Sequence, residues 1–188
     1  GQVSVTTREE LRAAWTQLGG VTCVLEKRLP LASECSVIVA RGHDGTMVHL
    51  PVQRNLHRDG ILAVTEVWPG NVNDALAHQV VQAAQAVAQG LDYVGVLCVE
   101  FFVLQDGQWV VNEIAPRPHN SGHYSQDACD VSQFELQVRC MTGLPLVAPR
   151  LHSAALMLNL LGEVWLGHAS KQKPVNATEC ATESGPDW

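Results

Sequence analysis

Glu100 and Glu113 stand equally far from an Asp106-Gly107 dipeptide, and both lie at the end of an apolar run. Asp-Gly between apolar stretches predicts a two-residue hairpin loop. Gln105 then faces Gln108, Leu104 faces Trp109, Phe102 faces Val111, and Glu100 faces Glu113. Directly opposed side chains have Cβ atoms about 5 Å apart. At an effective dielectric of 20, two carboxylates at that distance repel by about 3 kcal/mol. A divalent cation would compensate. Oxygen ligands, with Asn112 beside one of them, suit Mg2+ (or Mn2+) rather than zinc. Magnesium held by one or two carboxylates takes its other ligands from water and nucleotide phosphates. The hairpin therefore points to phosphoryl transfer. Two alternatives stay open: a register slipped by one, or a carboxylate that pairs with Arg117 or shares a proton.

The return strand runs directly into Asn112-Glu-Ile-Ala-Pro-Arg-Pro-His-Asn-Ser-Gly-His123. A loop this rich in Arg, His, Asn and Ser beside a metal site can bind an anion and handle protons. Arg117 supplies a planar fork for phosphate or carboxylate. His119 and His123 are candidate acid–base groups. Glu26-Lys-Arg-Leu-Pro, followed by Glu34, reads on its own as a strand end with a charged loop. Arg54-Asn-Leu-His57 reads as part of a polar loop.

Elements must hold these groups in place. Short strands are expected at Gly1–Val5 and Val21–Arg28. Thr7-Arg-Glu-Glu10 is a capping box opening a helix with Leu11, Ala14, Trp15 and Leu18 on one face, stopped by Gly19-Gly20. Glu34–Arg41 alternates as a strand, and His43-Asp44-Gly45-Thr46 turns into Met47–Val52. A polar loop, Gln53–Gly60, precedes a strand at Ile61–Trp68. Val72–Leu91 is the longest helical pattern, with Leu76, Val80, Ala84, Val87 and Leu91 at helical spacing. Strands are expected at Gly95–Leu104, Gln108–Ile114 and Ser153–Leu161. Ser132-Gln-Phe-Glu135 is a second capping box, and Gly143-Leu-Pro145 ends its helix. The segment beyond Gly167 is polar and reads as poorly ordered. Strands joined by hairpins, with helices between them, indicate an α+β fold whose antiparallel sheet carries helices on one face.

The chain has 188 residues, 46% hydrophobic and 16% charged, enough for one domain with a real core. Its net charge of −7 argues against broad nucleic-acid binding. No apolar run of membrane-spanning length and no secretory pattern is present. Cys23, Cys35, Cys98, Cys129, Cys140 and Cys180 form no CxxC pair. They read as small buried hydrophobes in a reducing compartment, which points to the cytoplasm. Asn176-Ala-Thr178 matches a glycosylation sequon and reads as chance.

Three runs carry a resemblance. They are Glu26-Lys-Arg-Leu-Pro-Leu-Ala-Ser-Glu-Cys-Ser-Val-Ile-Val-Ala-Arg-Gly42, Asn55-Leu-His57 with Asp59-Gly-Ile-Leu62, and Asn112 to His123. With Ser132-Gln-Phe-Glu135 and Gly143-Leu-Pro145, the region 1–162 resembles the carboxyaminoimidazole ribonucleotide synthetase family. These are the ATPase subunits of phosphoribosylaminoimidazole carboxylase, with the ATP-grasp fold. The resemblance implies ATP-dependent carboxylation of aminoimidazole ribonucleotide with bicarbonate through carboxyphosphate, in purine biosynthesis. It implies magnesium on Glu100 and Glu113, adenine at Glu26, Lys27, Arg28 and Leu29, and ribose at Glu34. His57 would lie near the phosphates and Asn112 at the metal–phosphate site. Arg117, His119 and Asn120 would face carboxyphosphate and the imidazole. It also implies a homodimer.

By the same resemblance, 1–30 would be a remnant of the first ATP-grasp subdomain with the hinge. Residues 31–145 would be the second subdomain, and 146–188 the start of a C-terminal domain with a divergent tail. The family's N-terminal domain, glycine-rich loop and basic C-terminal motif have no counterpart here, so the chain is expected to be a fragment. The competing readings are an ATP-grasp ligase using another acid such as formate, a zinc hydrolase built on His57, Glu113, His119 and His123, and a non-catalytic module.

Overall fold

A computed structural model describes residues 2–58 and 60–162. The strands are β1 (Leu31–Arg41), β2 (Met47–His49), β3 (Gln53–Arg58), β4 (Ile61–Val67), β5 (Gly95–Leu104), β6 (Trp109–Ala115) and β7 (Ala155–Leu158). The helices are α1 (Arg8–Gln17), α2 (Asp74–Gly90), α3 (Ser125–Ala128) and α4 (Gln133–Thr142). The strands form one sheet in the order β6-β5-β1-β3-β4-β7, with β2 beside β1. Every pairing is antiparallel. β7, which lies beyond residue 145, pairs with β4 and extends the same sheet.

Helices cover both faces of this sheet, not one. Val37, Val39, Leu97, Val99 and Phe101 pack against Val80, Ala84 and Ala88 of α2. Ile38, Ala40, Val96 and Cys98 pack against Leu136 and Cys140 of α4 and against Tyr124 and Ala128. The cause is visible in β1 and β5. Each has a continuous buried run, Cys35–Ala40 and Gly95–Val99, apolar throughout except for Ser36.

The local signals at α1 and α2 hold. Thr7 Oγ1 accepts from Glu10 N, and the Glu10 carboxylate accepts from Thr7 N, closing the capping box. Asn73 caps α2, and Val80, Ala84 and Ala88 form its buried stripe, with Leu76 and Val87 half-buried, whereas Leu91, expected on that stripe, is exposed just past the helix end. The apolar face expected on α1 is mostly open, with Ala14 buried but Leu11 and Trp15 exposed. At α4 half of the expected box forms. Ser132 Oγ accepts from Glu135 N, while the Glu135 carboxylate turns to Arg139 four residues on.

Three expected elements differ. Gln2–Val5 and Val21–Arg28 form no strand, since a strand needs a neighbour for its backbone groups and none lies alongside among the described residues. Gln53–Arg58, expected as a loop, is strand β3. Its inward residues are polar, so the apolar alternation that marks a half-buried strand is absent from its sequence. Of the cysteines, Cys35, Cys98, Cys129 and Cys140 are buried as expected, whereas Cys23 is exposed. Cys180, Asn176 and the segment after Gly167 lie outside the described residues.

Candidate functional site

The β5–β6 hairpin brings Glu100 opposite Glu113, as expected, but by a different route. Leu104 N donates to Gln108 O at 2.7 Å, so the loop holds three residues, Gln105-Asp106-Gly107, with Gly107 at φ 83°. Near the turn, Phe102 faces Val110 rather than Val111. Continued without interruption, that register would set Glu100 against Asn112 and turn Glu113 to the other face. A bulge between Phe101 and Glu100 absorbs Asn112 and restores the acidic pair. β6 is an edge strand, where a bulge disturbs one ladder only.

Around this pair the sheet face that α4 leaves open is polar. Glu34 pairs in register with Asn55 across β1 and β3, and Ser36 with Gln53. Ser36 is fully buried and is the hub. Its hydroxyl lies 3.0 Å from Gln53 Oε1 and 2.9 Å from Ser121 Oγ, and it accepts from Asn55 Nδ2 at 2.8 Å. Thr65 Oγ1 donates to Asn55 Oδ1 at 3.1 Å. Ser121 Oγ in turn lies 2.9 Å from His119 Nδ1, and Ser121 N donates to the same nitrogen at 3.3 Å. With Nδ1 accepting, the ring proton sits on Nε2, which faces Glu100 Oε1 at 3.7 Å. The chain of contacts thus crosses from β4 to β5 over one face.

Charge in the cluster is uneven. Burial holds the Glu100 carboxyl above its usual range, and the Glu113 and Glu34 carboxylates add to that rise against His57 and Arg117. His57 Nδ1 is buried and meets the Glu34 carboxylate, whose hydrogen bond raises the imidazole pKa against the cost of burial. His119 behaves in the opposite way. Burial first, then the Arg117 charge, lowers it to about 4. Its 3.7 Å approach to Glu100 is therefore a neutral N–H facing a carboxyl, since burial outweighs the attraction. One cluster holds a histidine favoured as cation and another kept neutral.

The structure brings together Glu34, His57, Glu100, Glu113, Arg117 and His119. Arg117 is exposed, and its guanidinium donates to Pro118 O at 3.0 Å. Asn120 begins a single 3-10 turn, Asn120–Gly122, and its carbonyl accepts from His123 N. His123 is exposed and packs against Phe134 with ring centroids 5.6 Å apart. No group of three or more His, Cys, Asp or Glu side chains is arranged to hold a metal among the described residues. The four-residue zinc site is overturned by these two findings. Glu26, Lys27 and Arg28 are exposed and Leu29 half-buried on the segment before Pro30. Among the described residues no hydrogen bond or ion pair joins them to the cluster. A cleft of about 230 Å³ opens beside Glu34 and His57, lined also by Ser33, Arg54, Asn55 and Glu66.

Sequence reasoning missed Ser36, Gln53, Thr65, Ser121 and Gln133, all fully buried. The signal available was spacing: Gln53, Asn55 and His57 recur every second residue, as do Glu34 and Ser36. Polar alternation at period two marks a strand whose inner face lines a site.

The ATP-grasp domain model matches residues 1–134. N5-carboxyaminoimidazole ribonucleotide synthase of Brucella melitensis is 41% identical over 165 residues, covering 87% of this chain and 45% of its own. The Bacillus subtilis synthase is 39% identical over 163 residues, covering 87% and 43%. Among solved structures, the ADP complex of an N5-carboxyaminoimidazole ribonucleotide synthetase superposes with TM-score 0.81 at 40% identity, covering 87% and 43%. The Aspergillus clavatus enzyme in complex with ADP and 5-aminoimidazole ribonucleotide superposes with TM-score 0.79 at 30% identity, covering 85% and 43%. The chain spans less than half the length of each. No helix among the described residues is long and apolar enough to cross a membrane.

Proposed function

Because this chain belongs to the ATP-grasp family, we propose that it carries the metal–phosphate end of an ATP-dependent ligase that carboxylates aminoimidazole ribonucleotide with bicarbonate. The observation that supports this most is the register that sets Glu100 against Glu113 beside His57, Arg117 and His119. The relatives' names supply the substrates. The donor set fits magnesium or manganese. It offers two carboxylates, and among the described residues no third His, Cys, Asp or Glu joins them, while the Glu100 carboxyl is held protonation-prone until positive charge arrives. Bound there, the ion would neutralise charge on the transferring phosphoryl group.

In this reading bicarbonate oxygen attacks the γ-phosphorus of ATP and ADP leaves, giving carboxyphosphate. The amine of the imidazole substrate then takes the carboxyl group as phosphate leaves. Arg117 grips the phosphoryl or carboxyl oxygens. His119, neutral, donates from Nε2 rather than acting as a base, and Asn120 adds a second polar contact. Glu34 accepts from ribose hydroxyls, and protonated His57 faces the phosphates. Asn112 takes part at the metal–phosphate end, and Glu26–Leu29 receive adenine. We read 1–30 as a remnant of the first ATP-grasp subdomain with the hinge and 31–145 as the second subdomain, whose sheet β7 extends before a third unit would begin. We also read the protein as cytoplasmic and dimeric, with neither nucleic acid nor membrane as partner.

Isothermal titration of the chain with ADP tests the reading. Binding should require magnesium and weaken roughly tenfold or more, about 1.4 kcal/mol, in Glu113→Gln. Equal binding in chelator, or no change in Glu113→Gln, would refute it.

A further inference from the structure

Gln133 is an unusual core residue. It is fully buried at the first turn of α4, and its side-chain amide makes two hydrogen bonds to one distant residue. Its Oε1 accepts from His119 N at 2.9 Å, and its Nε2 donates to His119 O at 2.7 Å. This is the pairing two strands would make, supplied here by a side chain.

The surroundings are built for that contact. A Cβ on Gly122 would lie 2.7 Å from Gln133 Oε1 and 2.2 Å from Ile38 Cδ1, so only glycine leaves room for the amide. Ser125 Oγ accepts from Gln133 N at 3.0 Å and donates to Gly122 O at 2.6 Å. Upstream, Tyr93 Oη donates to Pro116 O at 2.8 Å. The loop is thus pinned on either side of Arg117, by Tyr93 before it and by Gln133 after it.

Burying an amide is tolerated when every polar atom finds a partner. A water could satisfy the His119 backbone equally well, but it would not set the ring's direction. The clamp holds both backbone groups of the one residue whose imidazole joins Ser121 to Glu100.

We propose that Gln133 is a positioning residue: its amide fixes the His119 backbone so that Nδ1 meets Ser121 and the Nε2 proton points at the Glu100 end of the site. The inference rests on reading this loop as the reacting end, but its test uses no ligand. Failure here leaves the nucleotide titration informative, and failure there leaves this test intact.

The test is 15N NMR of the His119 ring nitrogens at neutral pH in the chain and in Gln133→Met and Gln133→Glu. Amide signals of Val37 and Val99 report the sheet. In the parent, Nδ1 should show an acceptor-type shift and Nε2 a protonated-type shift. In Gln133→Met, which fills the space without hydrogen bonds, the two shifts should converge toward the average of a free imidazole while the sheet amides stay put. Gln133→Glu keeps an acceptor for His119 N but repels His119 O, and should fall in between. If Gln133→Met does not fold, the glutamate variant is read alone, and convergence there supports the proposal. Unchanged ring shifts in the folded variants overturn it. So does loss of the Val37 and Val99 pattern in both, which would make Gln133 a folding residue only.

Discussion

His57 and His119 share one cluster yet are driven apart in protonation, because the Glu34 carboxylate hydrogen-bonds His57, whereas burial and then the Arg117 charge disfavour the cation at His119. The His119 value has a consequence for stability. Its folded pKa of about 4 lies below the ordinary 6.5. The folded state thus prefers the neutral ring, and the unfolded chain binds more protons between those values. The His119 contribution is therefore complete above about pH 6.5 and is lost as pH falls toward 4. Urea unfolding across that window should show the parent losing stability relative to His119→Gln. A constant difference between the two would contradict the burial argument. Glu100 acts with the opposite sign. Its raised carboxyl favours protonation in the fold, so its destabilising effect eases as pH falls through the raised value.

At the scale of elements, the hairpin shows that one pairing can follow from two offsetting departures. The three-residue loop shifts the register by one, and the bulge at Asn112 shifts it back. Glycine matters most where α4 meets the site loop. Gly122→Ala should cost about 1–3 kcal/mol, because the added carbon meets the fixed Ile38 side chain and the Gln133 amide rather than a yielding surface group. Denaturant midpoints check this. Gly107→Ala should be milder. Nothing crowds its Cβ, and the cost is the positive φ alone, about 1 kcal/mol.

For the whole molecule, the site is an open face of a sheet whose other surfaces are covered by α2 and α4. A ligand binding there couples strands β1, β3, β5 and β6. Magnesium–ADP at about a hundred times its Kd should add about 2.7 kcal/mol. For a domain of this size that raises Tm by roughly 5–10 °C. A thermal scan should show the rise with magnesium and ADP together, and most of it should vanish in Glu113→Gln. An equal rise with ADP and chelator would separate nucleotide binding from the acidic pair.

Several features were legible in the residues because their causes are local. The capping box at Thr7, the stripe along α2, the extent of Gly95–Leu104 and the approach of Glu100 to Glu113 depend on neighbours within a turn or a hairpin. Tertiary structure decided the rest. β3 is a strand because β1 and β4 pair with it, although its inner side chains are polar. Ser36 meets Ser121 across 85 residues of sequence, and Gln133 clamps His119 from another element. Period-two spacing marks Ser36 as facing one side of its strand, but nothing in the sequence names its partner, since such contacts link single polar residues from distant segments. Their partners are chosen only when the sheet and α4 close around them.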